Sequence, residues 1–159
     1  EDESKYPFCH LCGMRKDSKS AFLKSAILFL AISVSSCGGG NAYEGIPNVA
    51  VDLYIYPTDP LYQPLQVVGG WAYVIGGSKG IIVYRNSFEE FSAYERHTPY
   101  DPEKNCSLAY VDSFELVAVD SCSKTRYVLT DGSVLSGPGS LPLKPYFTTF
   151  DGDALHITN

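Results

Sequence analysis

The residues best suited to chemistry are few and lie in different parts of the chain. Cys9 and Cys12 have the spacing of half a zinc site or of a redox pair, but the sequence contains no second pair of this kind. Ser123 lies beside Lys124, as a nucleophile beside a base would, yet adjacent residues of a strand point to opposite faces. We therefore interpret neither pair as a metal or catalytic site.

A third set of residues is rich in oxygen atoms. Tyr100, Asp101 and Asp120 offer a phenol and two carboxylates, and hard cations prefer oxygen ligands. A cation site formed by these three side chains is an alternative to a purely structural role.

The N-terminal region has the features of a bacterial lipoprotein signal. The sole methionine, Met14, is followed by basic residues up to position 24, then by an apolar run over 26–34. This run is shorter than the roughly 20 residues that cross a membrane. Residues 34–37, Val-Ser-Ser-Cys, resemble a lipobox, so Cys37 is predicted to be lipidated and to become the first residue of the mature protein.

These features divide the chain into four segments. Residues 1–13 precede the signal and are interpreted as an upstream extension, and residues 14–37 as the signal peptide. Residues 38–48 begin with three glycines, which predicts a flexible tether, and residues 49–159 form the folded domain. The expected location is the cell envelope, lipid-anchored on the periplasmic or outer-membrane side, where disulfides form and persist.

Charge excludes one class of partner. The chain carries a formal net charge of −6, and after residue 37 it holds seven basic and fourteen acidic residues, or −7. Nucleic acid binding needs clustered Lys and Arg and is therefore not expected. The expected partners are the membrane, through the lipid anchor, and a protein of unknown identity.

The folded region shows strand patterns and turn signals throughout. Aromatic residues make up 13% of the chain and 14 glycines separate short apolar runs, as is typical of short strands joined by turns. Alternating or apolar runs over 49–56, 65–68, 71–75, 80–85, 88–94 and 110–119 predict strands, and no window has a helical period. Asp-Gly pairs at 131–132 and 151–152 predict hairpins. The sequence predicts an all-β fold.

Residues 65–159 contain three motifs in order. A strand over 82–85 leads through Phe-Ser-Ala-Tyr-Glu-Arg at 91–96 into Thr-Pro-Tyr at 98–100, an Asp-Gly to Gly-Pro run lies within 126–138, and 141–157 has the pattern of a hairpin. Together they resemble a Rieske-type iron–sulfur domain. That family has Cys-Pro-His or Cys-Thr-His at the first motif, the second motif follows its second Cys-x-x-His loop, and the third is its closing hairpin. The resemblance implies a β-sandwich of short antiparallel strands with a small loop subdomain. In that subdomain two cluster-binding loops meet beneath a proline loop.

The same resemblance places the four cluster ligands at residues that are unsuited to the task. Thr98 stands at the first Cys and Tyr100 at the first His; Asp120 and Ser123 stand at the second Cys and His. A Rieske centre is held by two thiolates and two imidazoles, which hydroxyl, phenol and carboxylate groups do not supply. We therefore expect no cofactor, and we treat a genuine [2Fe-2S] cluster as the alternative.

The resemblance also implies a disulfide. Cys122 lies where related proteins carry a non-ligand cysteine bonded to the first loop, which makes Cys106 its predicted partner. An improvised cluster held by these two cysteines with His97 and His156 remains an alternative, although His156 lies outside both loops.

The expected function follows from the missing ligands. We expect a structural or protein-interaction module rather than an enzyme. The alternatives are a Rieske electron-transfer protein and an ion binder that reuses the old site.

Overall fold

In the computed structural model, the structure describes residues 42–114 and 116–159, which form an all-β domain and confirm the predicted fold class. The predicted upstream extension, the signal peptide and Cys37 lie outside the described residues. One 3-10 helix, Pro60–Gln66, accompanies ten strands. These strands are β1 Asp52–Ile55, β2 Trp71–Val74, β3 Ile81–Arg85, β4 Phe91–Glu95, β5 Ala109–Asp112, β6 Val117–Asp120, β7 Arg126–Val128, β8 Val134–Ser136, β9 Pro145–Phe150 and β10 Leu155–Thr158.

The strands form two antiparallel sheets. The larger sheet has the order β1-β10-β9-β4-β3-β2, and the smaller one the order β5-β6-β7-β8. The Asp-Gly pair at 151–152 lies in the hairpin turn between β9 and β10, and Gly152 has a φ of 100°, a conformation that glycine adopts without strain. The pair at 131–132 lies between β7 and β8, so both predicted hairpins are confirmed.

Two apolar clusters use opposite faces of the same strands. Ile81 and Val83 of β3 pack into one cluster with residues of β1, β9 and β10. Ile82, between them, packs into the other with Ala118 and Tyr127 of the smaller sheet. Because β3 is buried on both faces, its sequence is a continuous apolar run instead of an alternating one.

Two predicted segments differ from the structure. The run over 110–119 is not one strand: it is the hairpin β5–β6, and residues 113, 114 and 116 lie in turns between the two strands, with Leu116 at a φ of 52°. Its alternation continues across the turn, so the pattern alone did not reveal the reversal. The apolar residue Leu65 lies in the 3-10 helix, which begins at Pro60 after Asp59 accepts a hydrogen bond from the Leu61 N–H at 2.8 Å.

Residues at the end of the predicted tether contact the domain. Ile46 is only 5% exposed, and the Tyr43 hydroxyl donates to the Leu143 carbonyl at 3.3 Å. None of the described residues belongs to a helix that is long and apolar enough to cross a membrane.

Candidate functional site

Two loops at one end of the smaller sheet carry the predicted site residues. The first loop joins β4 to β5, and the second joins β6 to β7. A disulfide between Cys106 and Cys122 links them, with the two Cα atoms 5.2 Å apart. The predicted pairing is confirmed, and both cysteines of the described residues are consumed by it.

Asp120 is the centre of the site. It ends β6, is fully buried, and accepts four hydrogen bonds. Its Oδ1 accepts from the Thr98 hydroxyl at 3.0 Å and from the Cys122 N–H at 3.2 Å. Its Oδ2 accepts from the Ser123 N–H at 3.1 Å and from the Ser123 hydroxyl at 2.5 Å. Thr98, Asp120 and Ser123, three of the four predicted ligand positions, are therefore bonded directly to one another.

The hydrogen-bond network around Asp120 continues to a third loop, which follows β8 and contains Gly139. The Ser123 and Thr125 hydroxyls are 2.8 Å apart, and Thr125 Oγ1 accepts from the Gly139 N–H at 3.0 Å. A Cβ atom at Gly139 would lie 2.8 Å from the Thr125 methyl group, so a side chain at this position would push the loop away. The predicted Gly-Pro turn at 137–138 thus covers the second loop.

The phenol of Tyr127 is buried and interacts with the charge of Asp120. The Tyr127 side chain packs fully buried below the loops. Burial raises the pKa of Tyr127 to about 12, and the charge of Asp120 acts in the same direction.

Tyr100, the fourth predicted position, is held through its backbone. Its carbonyl and that of Asp101 accept from the buried Ser107 hydroxyl, at 3.3 Å and 2.5 Å. Ser107 Oγ also lies 3.9 Å from the Sγ atom of Cys122. Among the described residues, no hydrogen bond joins the Tyr100 phenol to Asp120, so this side chain is not part of the Asp120 network.

A second buried carboxylate, Glu95, was not identified from the sequence. It accepts hydrogen bonds from the N–H groups of Ser78, Lys79 and His97 at 2.6, 2.9 and 2.9 Å, and from the Tyr146 hydroxyl at 2.7 Å. Burial and the hydrogen bond to Glu95 raise the pKa of Tyr146. The sequence signal that was available is the Gly-Gly-Ser-Lys turn at 76–79, which can wrap a carboxylate because Gly77 has no side chain to collide with it.

His97 belongs to the Glu95 network and not to the Asp120 network. Its Nε2 lies 2.8 Å from the Pro102 carbonyl, which can only accept, so Nε2 carries the proton. Its Nδ1 lies 2.9 Å from the Ser78 hydroxyl. His97 thereby fastens the first loop to the turn between β2 and β3.

The alternative sites are not assembled. His156 lies in β10, where Nε2 is 2.7 Å from Asp52 Oδ1 and the ring stacks on Tyr54 at 4.1 Å. It is therefore not in either loop with His97 and the disulfide, as an improvised cluster would require.

Asp101 belongs to the predicted oxygen-rich cation site. It pairs with Lys104 at 2.7 Å, and a hydrogen bond to Asp101 raises the pKa of Lys104. The Asp101 carboxylate therefore has Lys104 as its partner and is not part of the Asp120 network.

The pair of Ser123 and Lys124 is not a nucleophile with its base. Lys124 Nζ donates to the Ser121 carbonyl at 2.9 Å, while the Ser123 hydroxyl donates to Asp120. Lys124 has a φ of 62°, which is consistent with the tight loop between β6 and β7. Both side chains therefore form hydrogen bonds that stabilise the conformation of the loop between β6 and β7.

The donor set does not fit a two-iron cluster. The described residues include no group of three or more His, Cys, Asp or Glu side chains placed to hold a metal ion. At the predicted ligand positions the polar atoms are oxygens, and those of Thr98, Asp120 and Ser123 already satisfy one another. Iron–sulfur clusters of this type are held by thiolates and imidazoles, and the residues at these positions supply neither.

The geometry defines an all-β domain whose two neighbouring loops are cross-linked by a disulfide over a buried carboxylate. No protein-family model matches the chain, and no curated protein matches it. Among solved structures it is similar to the ferredoxin of carbazole 1,9a-dioxygenase from Nocardioides aromaticivorans IC177. The TM-score is 0.45 with 16% identity, over 70% of this chain and 98% of that chain. This similarity is too weak to establish membership of a family.

Proposed function

We propose that this chain is a lipid-anchored, extracytoplasmic Rieske-like domain that binds no iron–sulfur cluster and serves as a structural or protein-interaction module. One observation carries the proposal. The positions that resemble cluster ligands hold oxygen side chains, three of which bond to one another around the buried Asp120. A site that is closed on itself in this way has no open coordination for iron.

The disulfide supports the same conclusion. Cys106 and Cys122 are bonded to each other, so neither offers a thiolate while the bond is intact. A cluster needs thiolate ligands, and the remaining cysteines of the chain, Cys9, Cys12 and Cys37, all precede the folded domain. Iron binding would therefore require the disulfide to break and the Asp120 network to open.

The network and the disulfide together replace the structural role of a metal. The disulfide joins two cysteines that are 16 positions apart in the sequence. A cross-link that closes a segment of this length stabilises a fold by about 3 kcal/mol. Asp120 then fixes both loops with hydrogen bonds to Thr98, Cys122 and Ser123. Binding residues commonly lie on loops that a rigid scaffold holds in place, so these cross-linked loops are suited to contact another protein.

The test is a direct assay for the cluster. The full chain is expressed anaerobically with iron and a sulfur source, purified, and assayed for iron, for acid-labile sulfide and for visible absorbance. Electron paramagnetic resonance of the reduced sample adds a specific signature. We expect a colourless, folded protein without stoichiometric iron.

A control separates lost ligands from failed assembly. A Rieske ferredoxin with intact ligands, expressed in the same cells, must emerge loaded. If the control is loaded and this chain also contains near-stoichiometric iron with a Rieske-type signal, the proposal is wrong and the chain is an electron carrier.

A further inference from the structure

A cleft outside the Asp120 site has the composition of a ligand site. It has a volume of about 520 Å³, within the usual range of small-molecule sites. Its walls come from the chain after β1, the end of the 3-10 helix, the turn between β3 and β4, and the β9–β10 hairpin. It contains none of the residues on which the proposed function rests.

Arg85 lines this cleft as a buried cation without an acidic partner. The residue is 9% exposed, and its guanidinium lies 4.9 Å from the ring centre of Phe91 and 5.7 Å from that of Phe150. It donates to the carbonyls of Leu65 at 2.8 Å and Ser87 at 3.0 Å, and also to that of Phe88. These bonds use three of its five N–H groups, and no described carboxylate forms an ion pair with it.

A buried guanidinium in this state is suited to a carboxylate. Arg binds carboxylates through two parallel N–H groups, and such bonds are strongest where water is excluded. The carbonyl partners hold the guanidinium in place but leave its charge uncompensated. An anionic group that enters the cleft would provide the missing compensation.

The rim of the cleft carries the opposite charge. Glu89 and Asp153 line it, and neither carboxylate forms a hydrogen bond or an ion pair with a described residue. These two negative charges would repel a simple anion, whereas Arg85 would repel a simple cation. A ligand with one negative and one positive group matches both parts.

Between the charged groups, apolar side chains line the cleft together with those of Thr58 and Gln66. Pro57, Phe88 and Phe150 line the cleft, and the Phe88 side chain is 76% exposed and free to pack on a ligand. We propose that this cleft binds a small zwitterion with an apolar side chain, the chemistry of a dipeptide or a free amino acid. Its carboxylate binds Arg85 and its ammonium group faces Glu89 and Asp153.

The experiment uses the full chain and the dipeptide Ala-Phe, with ligand-observed saturation-transfer NMR as the readout. Three analogues accompany it: the C-terminal amide lacks the carboxylate, the N-acetyl form lacks the ammonium group, and free phenylalanine lacks the first residue. We expect Ala-Phe to bind with a dissociation constant near about 1 mM or below. The amide and the N-acetyl form should each bind about tenfold more weakly, and free phenylalanine shows whether a single amino acid suffices.

Matched variants locate the binding. Phe88→Ala should weaken Ala-Phe binding at least about threefold, whereas Phe147→Ala, which removes an equally exposed phenylalanine outside the cleft, should not. The double variant Glu89→Gln with Asp153→Asn should abolish the preference for Ala-Phe over its N-acetyl form. Glu103→Gln, an exposed control outside the cleft, should preserve it.

Three results would overturn the inference. The first is an absence of saturable binding by Ala-Phe up to about 10 mM, and the second is equal binding of all four compounds. The third is equal loss of binding in Phe88→Ala and Phe147→Ala. None of these outcomes depends on whether the chain holds iron, so this inference and the proposed function fail separately.

Discussion

Replacing Asp120 with asparagine exchanges one carboxylate oxygen for an NH2 group in the most heavily bonded side chain of the site. Each carboxylate oxygen accepts one backbone N–H and one hydroxyl: Oδ1 accepts from Cys122 and Thr98, and Oδ2 accepts both of its bonds from Ser123. Asparagine keeps only one of these oxygens. Its amide nitrogen can donate to a hydroxyl that turns round, but it cannot accept from a backbone N–H.

The structure therefore sets the cost of the substitution. Whichever way the amide of Asp120→Asn turns, one partly buried N–H, that of Cys122 or of Ser123, loses its acceptor, at about 1–3 kcal/mol. The two bonds to the remaining oxygen lose their charge assistance, at about 1 kcal/mol in sum, and the lower cost of burying a neutral group offsets part of the total. After this offset, we expect the free energy of unfolding to fall by about 1–3 kcal/mol.

The measurement is guanidinium unfolding of the full chain, followed by the fluorescence of its sole tryptophan, Trp71. Asp101→Asn is the control, because it makes the same chemical change at a residue of the first loop whose carboxylate forms an ion pair with the exposed Lys104. It should leave the free energy of unfolding unchanged within error. If Asp120→Asn costs no more than Asp101→Asn, the buried carboxylate does not hold the two loops together, and the reasoning is refuted.

Three further predictions address other parts of the molecule. Without reductant, Cys106 and Cys122 should resist alkylation in the folded protein, and their reduction should lower the free energy of unfolding by about 3 kcal/mol; two readily alkylated thiols would contradict this. Cys37→Ser should move the protein out of the membrane fraction and block processing, and unchanged membrane association would argue against a lipid anchor. Because the pKa of Tyr127 is raised from 10.0 to about 12, the protonated phenol favours the fold; its contribution is complete below pH 10 and is lost as the pH rises through 12. Between pH 10 and 12, the free energy of unfolding should fall less steeply with pH for Tyr127→Phe than for the parent protein. An equal slope for the two proteins would contradict this prediction.

The local sequence predicted those features whose physical cause is local. Asp-Gly pairs favour tight turns because glycine reaches positive φ without strain, and both pairs lie in turns between antiparallel strands. The residue types at positions 98, 100, 120 and 123 are also properties of the sequence, and their oxygen chemistry follows from it directly. The pairing of Cys106 with Cys122 came from the resemblance to a known family, and the structure confirms it.

Local patterns failed at a turn that has neither glycine nor proline, although Asp112 accepts a hydrogen bond from the Phe114 N–H there. The alternation over 110–119 has the period of a single strand, yet the chain reverses between β5 and β6 so that each strand can pair with the other. Alternation reports which side chains face a core, and both strands of a hairpin face the same one. The reversal is therefore decided by packing against Ile82 and Tyr94 of the larger sheet.

Only the tertiary structure decided which charged residues are buried and what they contact. Glu95 is bonded to Tyr146, 51 positions away, and Asp120 to Thr98, 22 positions away. Arg85 is enclosed by Leu65 and by the rings of Phe91 and Phe150, which come from three separate elements. In the sequence these residues look like ordinary surface charges, because a charged side chain becomes buried only when distant segments supply its hydrogen bonds. The sequence determines the atoms that a site can use, and the folded chain decides which of them remain free to bind.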